Sequence, residues 1–287
     1  MKLVLGSANW GQKYGLSSSK KFSISKINKV LRFSYSNKIS IIDTAFIYGN
    51  THDLLSKSDH KKFKIISKIF FTKKYQKYEI ENLFDKLLKE KKKFKKSFFG
   101  LLIHNPNVLN KKNLSRLKRI LNTLKKKKIV NKIGISIYDL NEYKKIINNG
   151  FQIDIIQIPI NLVNTNFVNS KFINDLKKRK IKIFARSIFL QGILLNKKIP
   201  IILKSEKKIL SKIYQLNKTN CLTNLEACIF FLKSLTFVDY CIIGFSSILQ
   251  LKQIIKIFKK NKKIDTQLYI NMKNSKKLSD PRQWHLK

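Results

Sequence analysis

Eight isoleucine-rich runs of strand length, separated by longer stretches of helical periodicity, constrain this chain more than any other feature. The runs cover 2–6 (KLVLG), 40–45 (SIIDTA), 63–69 (FKIISKI), 98–104 (FFGLLIH), 132–137 (KIGISI), 153–159 (IDIIQIP), 181–187 (IKIFARS) and 240–246 (YCIIGFS). Their nearly continuous apolar character is what strands buried on both faces require, and such strands belong to parallel sheets covered by helices. Between them, in 79–93, Ile80, Leu83, Phe84, Leu87 and Leu88 recur at i, i+3, i+4, i+7 and i+8, with charge on the opposite face. Similar spacing marks 25–36, 112–127, 139–148, 166–179 and 247–259. Two helical patterns, 203–216 and 222–235, fall between the last two strands, one more than the repeat requires. Asp139 and Ser247 are expected helix N-caps, and Gly150 suits a helix end. Eight strands with interleaved helices predict an α/β fold, a (β/α)8 TIM barrel. No linker divides the chain and only four prolines interrupt it, so one domain is expected over 1–287.

Composition narrows the function classes. With 43% apolar and 11% aromatic residues, the chain has the material for a large core and is not disordered in type. No stretch approaches the roughly 20 uncharged apolar residues of a membrane span. The opening MKLVLGSANWGQKYG has a short apolar patch followed by glycines, unlike a signal peptide. Cys221, Cys228 and Cys241 form no CxxC pair and no metal spacing, and read as small hydrophobes in a reducing, cytoplasmic compartment. The net charge of +45 would ordinarily point to nucleic acid or an anionic membrane. Only six of the 61 basic residues are arginine, however, and arginine is the residue suited to bidentate phosphate and base contacts. The lysines are spread over every helical segment, so solvated helix faces are expected, with no specific nucleic-acid or membrane partner.

Four polar residues stand at or just past the ends of separate apolar runs: Asp43, Tyr48, Lys68 and His104. In a barrel of parallel strands all such ends meet at one face, where loops gather the chemistry. Adjacent strands lie about 4.8 Å apart, so residues ending consecutive strands converge on a site of side-chain dimensions. A tyrosine near pKa 10 is a poor proton donor at neutral pH unless a neighbouring cation lowers it. Lys68 can supply that cation, Asp43 can hold the ammonium, and His104 can orient a carbonyl oxygen that Tyr48 protonates. Taken singly, each residue has an ordinary explanation: a helix cap, a turn aromatic, one of many surface lysines, a core histidine. Their common placement is what joins them.

The segments LGSANWG, IDTAFIYGN, IISK and LLIHNP resemble, in order, the N-terminal turn, the Asp–Tyr motif, the lysine strand and the histidine strand of the aldo-keto reductase family. GISIYD, IQIPINLVN, ARSIFLQGIL and IIGFSSILQLKQI agree as well, so the resemblance runs from about residue 2 to residue 260. It implies a (β/α)8 barrel that reduces aldehydes or ketones with a nicotinamide cofactor, usually NADPH with NADH as the alternative, and without metal. By position, Tyr48 is the proton donor, Lys68 and Asp43 tune it, and His104 places the carbonyl. Ser136 and Gln157 would hold the nicotinamide carboxamide. Ser187, Leu190 and Gly192 would lie along the pyrophosphate, and Gly244, Ser246, Gln250 and Gln253 near the adenosine end. Gly6 and Ser7 match the first-strand turn, and Trp10 would line the substrate pocket.

Two positions depart from the family pattern. Ile137 stands where asparagine commonly follows Ser136. Arg186 stands where many members place an aromatic ring against the nicotinamide, and its planar guanidinium can stack on a ring in that place. These departures motivate an alternative, a catalytically weak or inactive nucleotide-binding barrel serving as a redox-sensing or partner protein. ARSIFLQGIL also resembles stretches in bacterial members found with sugar and surface-polysaccharide metabolism, which points to a small, sugar-like carbonyl substrate. The C-terminal PRQWHLK carries Trp284 and His285, which either fold over the pocket or cap the barrel, the cap being favoured.

Overall fold

In the computed structural model the eight apolar runs pair in sequence order into a closed parallel barrel, β1 to β8 with β1 hydrogen-bonded to β8. The structure describes residues 1–13, 21–196, 199–272, 275–281 and 284. The strands are β1 (Lys2–Gly6), β2 (Ile41–Asp43), β3 (Lys64–Ile69), β4 (Phe98–Ile103), β5 (Val130–Ser136), β6 (Ile155–Pro159), β7 (Lys182–Arg186) and β8 (Tyr240–Ile243). The main outer helices are α1 (Ile24–Ser36), α2 (Thr51–Ser56), α3 (Gln76–Glu81), α4 (Leu83–Phe94), α5 (Lys111–Lys126) and α6 (Leu140–Asn148). They continue with α7 (Ser170–Lys178), α8 (Lys207–Thr219), α9 (Asn224–Ser234) and α10 (Ile248–Lys259), then short α11 (Gln267–Ile270) and α12 (Lys276–Ser279). The (β/α)8 TIM barrel expected from the sequence is thus the observed fold, including the extra helix between β7 and β8. Among the described residues no helix is long and apolar enough to cross a membrane.

The differences from the expected elements are local and have local causes. The pattern at 79–93 is broken at Asn82, whose side-chain amide donates to the Tyr78 carbonyl at 2.9 Å and closes α3 before α4 begins. The pattern at 166–179 becomes a helix only from Ser170, because the Asn169 side chain accepts from the Phe172 N–H and caps it there. Residues 201–206 form a 3₁₀ turn ahead of α8. Asp139 and Ser247 do cap α6 and α10. Gly150 follows α6 at φ +71°, a backbone state that glycine adopts without strain.

Alternation along the strands builds the site. Val4, Ile41, Ile66, Leu102, Ile155, Phe184 and Ile242 point inward and fill the barrel as one apolar layer, while neighbours such as Ile42, Ile65, Ile156 and Ile183 face the helices. Gly134 holds the corresponding inward place on β5, where its backbone is pressed against the Ile155 carbonyl. Because strand side chains repeat every two residues, the next inward residue on each strand stands one layer higher, at the C-terminal mouth. Those eight residues are Gly6, Asp43, Lys68, His104, Ser136, Gln157, Arg186 and Gly244.

Candidate active site

Three of the eight residues at the mouth, Lys68, Asp43 and Gln157, are joined by side-chain hydrogen bonds. Lys68 is 1% exposed, and its ammonium donates to Asp43 Oδ2 at 2.6 Å and to the Thr44 carbonyl at 2.8 Å. Asp43 is 4% exposed, and its Oδ1 accepts from Gln157 Nε2 at 2.5 Å, so both carboxylate oxygens are engaged. Ser7 donates through both its N–H and its hydroxyl to the Asp43 carbonyl, which seats the turn after β1 on β2. Burial pushes the Lys68 ammonium below the ordinary lysine value; Asp43 opposes that fall and the nearby Arg186 cation adds to it.

Tyr48 reaches this network from the loop after β2. Thr44 and Phe46 still donate to the Ile66 and Lys68 carbonyls of β3, so the loop leaves the sheet gradually. Gly49, at φ +55°, then turns the chain where any Cβ would come within 2.6 Å of the Gly11 carbonyl. The half-buried Tyr48 ring has the Lys68 ammonium 5.2 Å from its centroid and meets the His104 ring edge-on at 6.2 Å. His104 is set by its N–H donating to the Ile69 carbonyl, and Phe70 packs edge-on against its other side. The four residues singled out from the sequence therefore stand together.

Across the mouth, Arg186 lies over the ends of β5 and β7. Its Nε donates to Ser136 Oγ at 3.1 Å, its Nη2 to the Ile137 carbonyl at 2.9 Å and its Nη1 to Ser187 Oγ at 3.3 Å. The guanidinium stacks on Tyr138, 4.1 Å from the ring centroid. The side chain of Ile137 is buried, so its backbone carbonyl is what it contributes here. Beyond β7, Ser187, Leu190 and Gln191 share positive φ with Gly192, and this left-handed run turns the chain sharply over the barrel rim. Asn161 holds the run by donating to the Ser187 carbonyl.

The remaining positions fall into two groups. Past β8, Gln250 accepts from the Ser246 N–H at 2.7 Å, and Lys26 of α1 donates to the Ser246 carbonyl at 3.0 Å. Gly244 is exposed, with open space where a Cβ would stand, and Gln253 is exposed further along α10. Trp10 is fully buried, stacked on Phe22 with Phe245 at its edge, behind the mouth. Trp284 is buried and donates to the Lys277 carbonyl, while Asn164 of the β6–α7 loop donates to the Ser279 carbonyl. His285 lies outside the described residues.

Sequence reasoning did not single out Tyr138, Lys26 or Thr44. Tyr138 could have been found as the aromatic two residues past Ser136, whereas Lys26 is indistinguishable among 55 lysines. The Thr44 contribution is a backbone carbonyl and carries no residue-type signal.

The residues present fit the nicotinamide cofactor that the family resemblance implies. Gln157 Oε1 is buried without a hydrogen-bond partner, an acceptor matched to a carboxamide N–H₂. The open space at Gly244 leaves backbone accessible to a bound group.

Comparisons with known proteins bear on the family and the fold. The model of the aldo/keto reductase family matches residues 2–274. No curated protein sequence matches the chain. Among solved structures, the chain is similar to aldo-keto reductase AKR11C1 from Bacillus halodurans (holo form), with TM-score 0.70 at 14% identity, covering 99% of this chain and 94% of that one. It is also similar to the thermostable aldo-keto reductase Tm1743 in complex with the inhibitor epalrestat, with TM-score 0.68 at 17% identity, covering 93% and 92%.

Proposed function

Since the chain belongs to the aldo/keto reductase family, whose members are oxidoreductases of the carbonyl-reducing kind, we propose that it reduces an aldehyde or ketone to an alcohol with Tyr48 as proton donor. The observation that carries this reading is the buried Lys68 ammonium, bonded to Asp43 at 2.6 Å and 5.2 Å from the Tyr48 ring centroid. A cation beside a phenol stabilises the phenolate left when the proton departs, so it makes the phenol a better acid. Asp43 keeps Lys68 charged against the cost of burial, and Gln157 fixes the carboxylate. His104, edge-on to Tyr48, orients the carbonyl oxygen toward the phenol. NADPH, with NADH as the alternative, supplies the hydride when bound.

Ser136 and Gln157 hold the carboxamide in this reading, with Arg186 against the ring. Gly6, Ser7, Ser187, Leu190 and Gly192 line the pyrophosphate path, and Gly244, Ser246, Gln250 and Gln253 face the adenosine end. Tyr48 and His104 contact the substrate, with Trp10 backing the wall.

The test is NADPH oxidation with a panel of simple aldehydes and sugar-like ketones, comparing wild type with Tyr48→Phe. A loss of at least about 10²-fold is expected, the lower range for general acid catalysis. Equal turnover in the two removes Tyr48 as donor. One observation favours a second reading: Arg186 already donates to Ser136 Oγ. A barrel that binds the cofactor and turns over no carbonyl would be that nucleotide-binding partner protein.

A further inference from the structure

Behind the site, on the opposite face of β3, lies a buried Ser–His–Glu chain. Ser67 precedes Lys68 and so points outward, toward the helices, where its hydroxyl meets His52 Nε2 at 3.0 Å. His52 Nδ1 meets Glu90 Oε2 of α4 at 2.8 Å. A carboxylate only accepts, so Nδ1 carries a proton toward Glu90. Glu90 is held below the ordinary glutamate value: burial raises it, and the His52 hydrogen bond with the nearby Lys93 charge outweighs that rise. The arrangement resembles a nucleophile triad, but Ser67 is 0% exposed and Phe46, Phe94 and Phe98 enclose the imidazole. No substrate reaches the hydroxyl, so its use lies elsewhere.

We propose that His52 is a positioning residue, holding Tyr48 against Lys68 by tying α2 to the back of the strand that carries Lys68. This inference rests on the reading of Tyr48 as proton donor. The contacts form a closed circuit. Thr51, the first residue of α2, bonds the Tyr48 carbonyl through its N–H at 3.1 Å and its hydroxyl at 2.6 Å. His52 follows Thr51, bonds Ser67, and Ser67 is joined to Lys68, whose ammonium returns to the Tyr48 ring. A helix of six residues has little stability of its own, so its placement depends on such side-chain anchors. His52 is the polar anchor of α2, beside the buried Leu55, and Glu90 keeps its imidazole oriented. Freed of it, α2 and the Tyr48 turn can drift outward, which lengthens and weakens the cation–phenol contact.

The experiment uses the full chain with ¹³Cζ-labelled tyrosine, taking as the Tyr48 signal the resonance absent from Tyr48→Phe. Variants are His52→Leu, which fills the same space without polar atoms, and Ser67→Ala, which removes one oxygen and keeps the fold should His52→Leu not fold. In either variant the Tyr48 titration midpoint is expected to move up by about one pH unit, toward the free phenol. With a carbonyl substrate, kcat should fall about tenfold while the NADPH Kd stays within about twofold. In the Tyr48→Phe background the same substitutions should lower kcat no further, since they act through the absent phenol. A lowered Tm with an unmoved Tyr48 midpoint would overturn the proposal and leave the network a structural one. If wild type reduces no carbonyl, the function reading fails, and the Tyr48 midpoint still decides this inference.

Discussion

Replacing Lys68 by methionine shortens the side chain by one atom and deletes one charge from a position 1% exposed. Two acceptors lose their donor, Asp43 Oδ2 at 2.6 Å and the Thr44 carbonyl at 2.8 Å. Asp43 keeps the Gln157 amide at 2.5 Å but is left as a buried, uncompensated carboxylate. Breaking one side of a buried ion pair costs about 3–5 kcal/mol, which includes most of the stranded carbonyl's penalty. A domain stable by about 5–15 kcal/mol still folds after such a loss. With an unfolding entropy of about 2 cal/mol/K per residue, a chain of this length should lose about 5–8 °C in Tm.

The sign with pH is fixed by which charge is stranded. In Lys68→Met the stranded charge is a carboxylate, and acid that protonates it relieves the penalty, so the deficit should grow as pH rises. Asp43→Asn does the reverse. It strands an ammonium already pushed below the ordinary lysine value by burial, so stability should recover as pH rises toward about 10.4. The double variant leaves no buried charge and should recover at least about 2 kcal/mol relative to the sum of the singles. Thermal and urea melts of all four proteins between pH 4 and 9 measure this. Additive losses, or a Lys68→Met deficit independent of pH, would refute the reasoning.

Two glycines at the sheet make opposite predictions. Gly134→Ala puts a Cβ 2.3 Å from the Ile155 carbonyl of the neighbouring strand, a backbone atom that cannot swing aside. It should cost about 1–3 kcal/mol or more, read as a lower urea midpoint at unchanged m. Gly244→Ala meets nothing within 4 Å, so its stability should stay within about 0.5 kcal/mol of wild type. If Gly244 faces the adenosine end of the cofactor as proposed, NADPH fluorescence titration should show weaker binding in that variant, and unchanged affinity would remove Gly244 from the binding surface.

The architecture was legible because it rests on periodicity. Strands buried on both faces leave runs such as FFGLLIH and IDIIQIP, and helices packed on one face leave the i, i+3, i+4 spacing of Ile80, Leu83 and Phe84. The placement of the candidate residues was legible for the same reason. Asp43, Lys68, His104, Ser136, Gln157 and Arg186 each stand two residues above an inward apolar position, so knowing the strands placed them at one mouth. Element ends were less legible, because they turn on single hydrogen bonds: Asn82 divides α3 from α4, and Asn169 delays α7. Only the tertiary structure could decide how the ring is joined. Gln157 meets Asp43 across 114 residues of chain. Arg186 takes Ser136, and His52 finds Ser67 on the back of β3. Such bonds depend on tenths of an ångström between elements that no local pattern relates. In this chain, then, hydrophobic period determined the barrel and which residue types meet at its mouth, while three-dimensional packing decided which of them hold one another.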